Sequence, residues 1–346
     1  MPTQYQKFSP SNDVTTTKTL LHEVIPITGT IVSGTYSDNN IKNYTHGMFQ
    51  SVYDYPYLSS SANHIFDITM GYDETSALSA STSTQNAKKI NLYNQHAQIL
   101  LGYTSSTADN VRKFENDLTL DGSGYMKEVV FVNFSRLLAK DQIKKGTFSL
   151  TIGTSSVYTA PWALLKTLQD SKAGPSTGYS SEVGGDYGLL YTNSVGAGPA
   201  VGNIFYQAGI AIFTASVFGS SAAGHTQMNI KTDGIDYVLS ASAISGTADA
   251  LRHRVQSISF NNTTEINSVI YFCRVPHNRF NYSSNPTYVS GAQVRVKDVA
   301  SDTPVSYITT VGLYSSTGEL LATAKLSEPL RKDPTNEITL RVRLDY

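Results

Sequence analysis

Hydrophobic and polar positions alternate most strictly at the C-terminal end. There Ile338, Leu340, Val342 and Leu344 take turns with Thr339, Arg341, Arg343 and Asp345, the period-two pattern of a strand with one dry and one wet face. Residues 306–314 and 319–326 have strand character on either side of the turn sequence Ser315-Ser316-Thr317-Gly318, so this end of the chain predicts a three-stranded antiparallel meander. Before it, QSISFNN and INSVIYFCRV read as two paired strands about a polar turn at residues 261–264. In the second, Val269, Tyr271, Cys273 and Val275 share one face while Ile270 and Phe272 share the other, which predicts cover on both sides.

The N-terminal two thirds mixes periods. KEVVFVNF at 127–134 predicts a buried strand, residues 147–152 another, and NIFYQAGIAIFTASVF at 203–218 two central strands split near Gly209. LLHEVIPITGTIV at 20–32 is β-branched and interrupted by Pro26, which suits an edge strand or two short ones. Ile90, Tyr93, Ala97, Leu100 and Leu101 recur at helical spacing, and Gly102 closes that helix. RLLAKDQIKKG, ending at Gly146, predicts a second helix, and Pro161 opens a short third one carrying Trp162, Leu164, Leu165 and Leu168. SALSASTST at 76–84 reads as a loop, and the Gly/Ser-dense stretch 174–202 as a long loop or hinge. Residues 1–19 show neither period and read as a flexible arm that orders only against a neighbour.

The expected fold is therefore mainly β with a few helices, an α+β chain of antiparallel sheets or a sandwich ending in a β-meander. The expected organisation is an arm (1–19), a mixed β-rich domain (20–250) and a C-terminal antiparallel domain (251–346). No repeat of short fixed period supports a solenoid or propeller.

Composition narrows the partners. Charged residues make up 15% of the 346 and the net charge is −1, against about 25% charged in an average domain. Ser, Thr, Asn, Tyr and Gly must then cover the surface, and strong nucleic-acid binding is not expected from so little excess of either sign. The longest apolar run, residues 208–218, falls short of the ~20 residues of a membrane helix, and no basic flank leads an apolar stretch at the start as in a secretory signal. A single cysteine, Cys273, excludes an intrachain disulfide and reads as a small buried hydrophobe.

Chemistry-bearing motifs are sparse. Gly196, Gly198 and Gly202 imitate a dinucleotide loop, but Pro199 and an apolar β run follow where a helix is required. The seven histidines never pair at the spacing that puts two ligands on one helix face. Asp73 and Glu74 are adjacent in sequence, which usually points two carboxylates apart. The expectation is a protein that is not an enzyme, with no catalytic, cofactor-binding or metal-binding residues. Aromatic side chains are the candidates for contact. Trp162 is either packed or an interface anchor, and Phe280, Tyr282 and Tyr288 punctuate the polar loop HNRFNYSSNPTY, whose Asn and Pro residues favour fixed turns.

Residues 270–288 (IYFCRVPHNRFNYSSNPTY), 307–326 (YITTVGLYSSTGELLATAKL) and 329–333 (PLRKD) together resemble a module of virion structural proteins from marine T4-like phages, notably those of cyanobacteria. HGMFQSVYDYPYL at 46–58, KKINLYNQHAQILLGY at 88–103 and KEVVFVNFSRLLAKDQIKKG at 127–146 are similar as well. The resemblance covers most of the chain beyond the arm and carries no catalytic residues. It implies a tailed-phage virion protein assembled in the host cytoplasm, in the tail or baseplate, contacting other virion proteins and copies of itself in an oligomer or ring. A capsid or neck protein and a glycan-reading tail module are the alternatives.

Overall fold

The computed structural model describes residues 5–28, 38–80, 84–104, 111–118, 123–154, 162–173, 179–194, 196, 198–218, 225–226, 229–230, 244–283, 289–290, 293–294, 301 and 303–346. The fold is mainly β with antiparallel sheets and a few helices, as the periodicity predicts. The chain divides into two compact units, Leu21–Thr264 and Met1–Leu20 together with Glu265–Tyr346. The expected boundary at 250/251 lies inside a helix, and residues 14–19 of the expected arm are strand.

In chain order the elements begin with helix α1 (Pro10–Asp13) and strand β1 (Val14–Thr28). Strands β2 (Ile41–Asn43), β3 (Gln50–Tyr53) and β4 (His64–Tyr72) precede helix α2 (Thr84–Leu100). Then come β5 (Glu128–Phe134), the single-turn helix α3 (Arg136–Ala139), β6 (Gln142–Ile143), β7 (Ser149–Gly153) and β8 (Leu165–Gln169). They are followed by β9 (Tyr179–Glu182), β10 (Gly185–Leu190), β11 (Gly202–Phe205), β12 (Ile210–Thr214) and the short pair β13 (His225–Thr226) and β14 (Asn229–Ile230). Helix α4 (Ile244–Arg254) runs directly into β15 (Val255–Val275). The small pair β16 (Val289–Ser290) and β17 (Gln293–Val294), then β18 (Ser306–Tyr314), β19 (Leu320–Lys332) and β20 (Ile338–Asp345), complete the set.

The larger unit is organised by β5. Eight antiparallel strands stand in the order β2-β3-β4-β5-β12-β11-β10-β9. β5 lies between two partners, so its backbone is fully paired and its unbroken apolar run can be buried on both faces. Val130, Val132 and Phe134 enter one core with Phe148, Leu150, Ile258 and Phe260, while Val129 and Phe131 enter a second core with Tyr93, Ala97 and Leu100 of α2. Helix α2 approaches β4 at Gly71, where a methyl group would come within 2.7 Å of the Lys89 carbonyl oxygen and 2.8 Å of the Tyr93 nitrogen. Gly102, at φ +76°, ends α2 in the left-handed region expected of a helix stop. The two strands expected around Gly209 are β11 and β12, paired from Gly202 opposite Phe213 to Phe205 opposite Ile210.

Several local expectations give way to pairing. The polar cluster at 261–264 does not turn: β15 is one continuous strand. The groups that would have closed a turn are engaged by neighbours instead. Asn262 donates from Nδ2 to the Leu138 carbonyl at 2.9 Å and accepts the Glu23 N–H at 3.1 Å, and Thr263 Oγ1 lies 3.1 Å from His22 Nδ1. The helix expected after Pro161 is replaced by β8, which pairs with β7 and leaves Leu164 and Leu165 exposed. Most of the helix expected before Gly146 is absent too; after one turn the chain enters β6 and pairs with β15. The stretch 174–202 contains the β9–β10 hairpin, and α4 has no counterpart in the expectations. At the C-terminus β18 and β19 form the expected hairpin, but β20 pairs with β15, not β19, so the meander has two strands.

Candidate assembly surface

The loop that follows β15 is held by one lysine. Lys332, at the end of β19, has no solvent-accessible surface. Its Nζ donates to Asn281 Oδ1 at 2.6 Å, to the Asp333 carbonyl at 2.8 Å and to the His277 carbonyl at 3.2 Å. Three acceptors around a buried ammonium satisfy all three of its donors, which burial of a lysine requires. Asn281 in turn donates from Nδ2 to the His277 carbonyl at 2.7 Å, and Ser306 Oγ donates to the Phe280 carbonyl at 2.5 Å. Phe280 itself sits at φ +59°, a conformation a bulky residue adopts only where its surroundings fix it.

These contacts place the expected contact residues. Phe280 and Tyr282 are half-buried in this braced loop, and Tyr288 lies outside the described residues. Trp162 is elsewhere, in the larger unit, and only 3% exposed. Its indole N–H donates to the His253 carbonyl at 3.0 Å, the Arg254 guanidinium lies 4.8 Å from its ring centroid, and Gly153 leaves the space its ring fills. Of its two readings, the structure corrects the interface anchor and keeps the packed residue.

Beside the loop in the same unit, the β18–β19 hairpin pairs with no other strand among the described residues and is exposed along most of its length. Tyr307, Tyr314, Leu320 and Leu321 are exposed, Leu321 to 68%. Two strands alone are marginal in water. The sharp exit from β19 is set at Asp333, whose Oδ1 accepts the Thr335 N–H and hydroxyl while Asn336 Oδ1 accepts the Asp333 N–H. Pro334 then denies the strand a donor, and the chain is redirected to β15.

The N-terminal residues lie along this unit as well. Gln6 Oε1 accepts from Arg279 Nη1 at 3.1 Å, the Phe8 ring lies 5.4 Å from that of Tyr271 with the planes tilted by 46°, and Tyr5 meets Tyr314 edge-on at 5.1 Å. Arg274 Nε donates to Asp13 Oδ1 at 2.7 Å, and Lys18 pairs with Glu265 at 2.5 Å. Sequence reading missed these pairs and Lys332, because each joins residues remote in the chain. The one local signal was a lysine at an inward-facing position of β19.

The ionisable groups here are acceptors in fixed networks. The Ser9 N–H, followed by Arg274, holds Asp13 below the usual carboxylate range; the Thr335 hydroxyl and N–H do so for Asp333, and the Ser268 hydroxyl and Arg343 for Asp345. Burial pushes the Cys273 thiol up, which disfavours the nucleophilic thiolate. In the larger unit Asp73 is occupied by Thr75 and Lys113. Among the described residues no three His, Cys, Asp or Glu side chains converge as metal ligands would, and no helix is long and apolar enough to cross a membrane. The sequence matches no protein-family model, no curated protein and no solved structure.

Proposed function

We propose that this chain is a structural component of a tailed-phage virion, placed in the tail or baseplate, that acts by protein–protein contact with other virion proteins and with copies of itself. The observation that carries the reading is the uneven burial of the two units. Every residue of both apolar cores falls within Leu21–Thr264. In the other unit, the buried hydrophobic residues among those described are Val269, Val275, Val305, Leu313 and Val342. A sheet with so small an interior gains little from burial on its own and is stabilised when neighbours cover it.

The surfaces left open suit such cover. β1 stands at the end of its sheet, and residues 15–24 are exposed on both faces; a strand edge of this kind invites pairing with another chain. The exposed tyrosines and leucines of the β18–β19 hairpin, and the braced loop with Phe280 and Tyr282, offer aromatic contact of the sort that dominates binding hot spots. The low charge makes such contacts insensitive to salt. The resemblance to virion proteins of marine T4-like phages supplies the particle.

The test is immunogold labelling of intact phage particles with antibody to this chain. Gold at the tail end is the expected result. Gold on the head or neck would keep the structural role and overturn the placement, and no labelling of intact or opened particles would overturn the virion role.

A further inference from the structure

We propose that the larger unit carries a binding site for a neutral oligosaccharide, on the face of its eight-stranded sheet at the β2–β4 end. The site goes beyond the assembly role proposed above, and neither depends on the other.

Strand alternation decides which side chains meet there. Ile41, Val52, Phe66 and Val132 enter the apolar core, so their chain neighbours Lys42, Ser51, Asp67 and Asn133 belong to the opposite face. The pairing sets these four side by side: Lys42 opposite Ser51, Ser51 opposite Asp67, and Asp67 opposite Asn133. A line of polar side chains therefore crosses β2, β3, β4 and β5. Helix α2 closes one end of it, where Asn133 Nδ2 lies 3.4 Å from His96 Nε2. The rest is flanked by rings. Toward the start of β3, Tyr44, His46 and Phe49 form a triangle with centroids 4.8 to 5.1 Å apart. Toward its end, Tyr53 lies 5.4 Å from His64 and 6.3 Å from Tyr57. All of these rings are half-buried or exposed.

Two polar groups in the line are open. Ser51 Oγ and His64 Nε2 both bond to Oδ1 of Asp67, the imidazole at 2.8 Å, and among the described residues no hydrogen bond reaches Oδ2. The Asp67 side chain is 26% exposed. Lys42 Nζ lies 4.9 Å from the Tyr44 ring centroid and, among the described residues, pairs with no carboxylate. The two groups stand two strand spacings apart, roughly 10 Å.

Small-ligand sites combine ring surface with a few fixed polar groups. Here the ligand has to lie face-on, because β3 and β4 each have a strand on both sides and offer a peptide no open edge. A pyranose has the matching chemistry. Its C–H face packs on an aromatic ring, and its hydroxyls can donate to Asp67 Oδ2 and accept from Lys42. The span between those groups exceeds one sugar ring, which calls for an oligosaccharide, and the carboxylate repels an acidic sugar, which selects a neutral one. Ser51 donates to Asp67 and not to an imidazole, so its hydroxyl is not activated as a nucleophile, and the site holds its sugar without cleaving it.

The test applies the full chain to an array of neutral hexose and N-acetylhexosamine oligomers, measures the affinity of the best-bound oligomer by calorimetry, and maps it by hydrogen exchange. Binding is expected, with protection concentrated in peptides covering residues 42–67. Asp67→Asn keeps the shape of the side chain and an acceptor for Ser51, and is expected to weaken binding about tenfold or more, as is Tyr44→Ala. Tyr125→Ala, at an exposed tyrosine outside the site, should leave affinity unchanged. The exchange map uses the wild-type chain alone, so it reads the site even if a variant fails to fold. An array with no oligomer above background, protection lying outside residues 42–67, or folded Asp67→Asn and Tyr44→Ala variants that bind within about twofold of wild type would overturn the site. Labelled particles with an empty array would keep the assembly role and remove the site; sugar binding with unlabelled particles would do the reverse.

Discussion

Replacing Lys332 by methionine keeps the length and apolar stem of the side chain and removes only its ammonium group. Of the three acceptors, the His277 carbonyl retains the Asn281 Nδ2 donor at 2.7 Å, while Asn281 Oδ1 and the Asp333 carbonyl lose the Lys332 donor at 2.6 and 2.8 Å. An acceptor stripped of its donor costs about 1–3 kcal/mol when it stays buried. Part of this is offset because no charge is then desolvated, and part because the loop can open to water. The net loss is about 2–3 kcal/mol, which multiplies the opening equilibrium of the loop by a factor of about 30 to 150. Hydrogen exchange read by mass spectrometry on peptides covering residues 277–283 measures that factor directly. Lys325→Met, at an exposed position of the same strand, is the control and should leave exchange unchanged. If Lys332→Met left the exchange of this peptide within about threefold of wild type, the lysine would not be what fixes the loop, and Phe280 and Tyr282 would lose their argued rigidity.

Three further outcomes follow from the larger unit. Gly71→Ala puts a methyl against the backbone of α2, with the Lys89 carbonyl at 2.7 Å, and should destabilise by about 1–3 kcal/mol; a urea midpoint equal to wild type would show that the helix yields freely. Trp162 is the sole tryptophan, so intrinsic fluorescence should be blue-shifted and weakly quenched by acrylamide, and Trp162→Phe, by removing the indole donor to the His253 carbonyl, should cost about 1–2 kcal/mol. Burial holds His96 below its ordinary value of 6.5, with Nδ1 donating to the Leu92 carbonyl at 2.8 Å and the ring stacked 4.0 Å from Phe131. Because the unfolded chain takes up that proton more readily than the folded one, the His96 contribution is complete above pH 6.5 and is lost as pH falls toward the lowered folded value. His96→Gln should flatten that part of the stability–pH curve, and an unchanged slope would assign it to other groups.

The features legible in the sequence were those that a run of residues carries locally. The apolar run of β5 required burial on both faces, the spacing from Ile90 to Leu101 required a helix, and the alternation of β20 required a strand with one wet face. Turn chemistry at 315–318 was equally local: Gly318 takes φ +86° and Ser315 Oγ accepts the Thr317 and Glu319 N–H groups. Which strand each edge would meet depended on long-range pairing. β20 joined β15 because the Asp333 corner turned it away from β19, and residues 261–264 stayed extended because Leu138, Glu23 and His22 use their polar groups from elsewhere in the chain. Residues 165–169 became strand because β7 supplied a backbone partner, and α4 could be recognised only once Arg252, among the most buried residues of the chain, had found Gln50 and Asp249 at 2.7 Å each. The candidate surface divides the same way. Its aromatic loop was legible as composition, but the lysine that braces it and the N-terminal pairs that lie beside it join residues about 50 to 310 positions apart, a separation over which periodicity carries no signal.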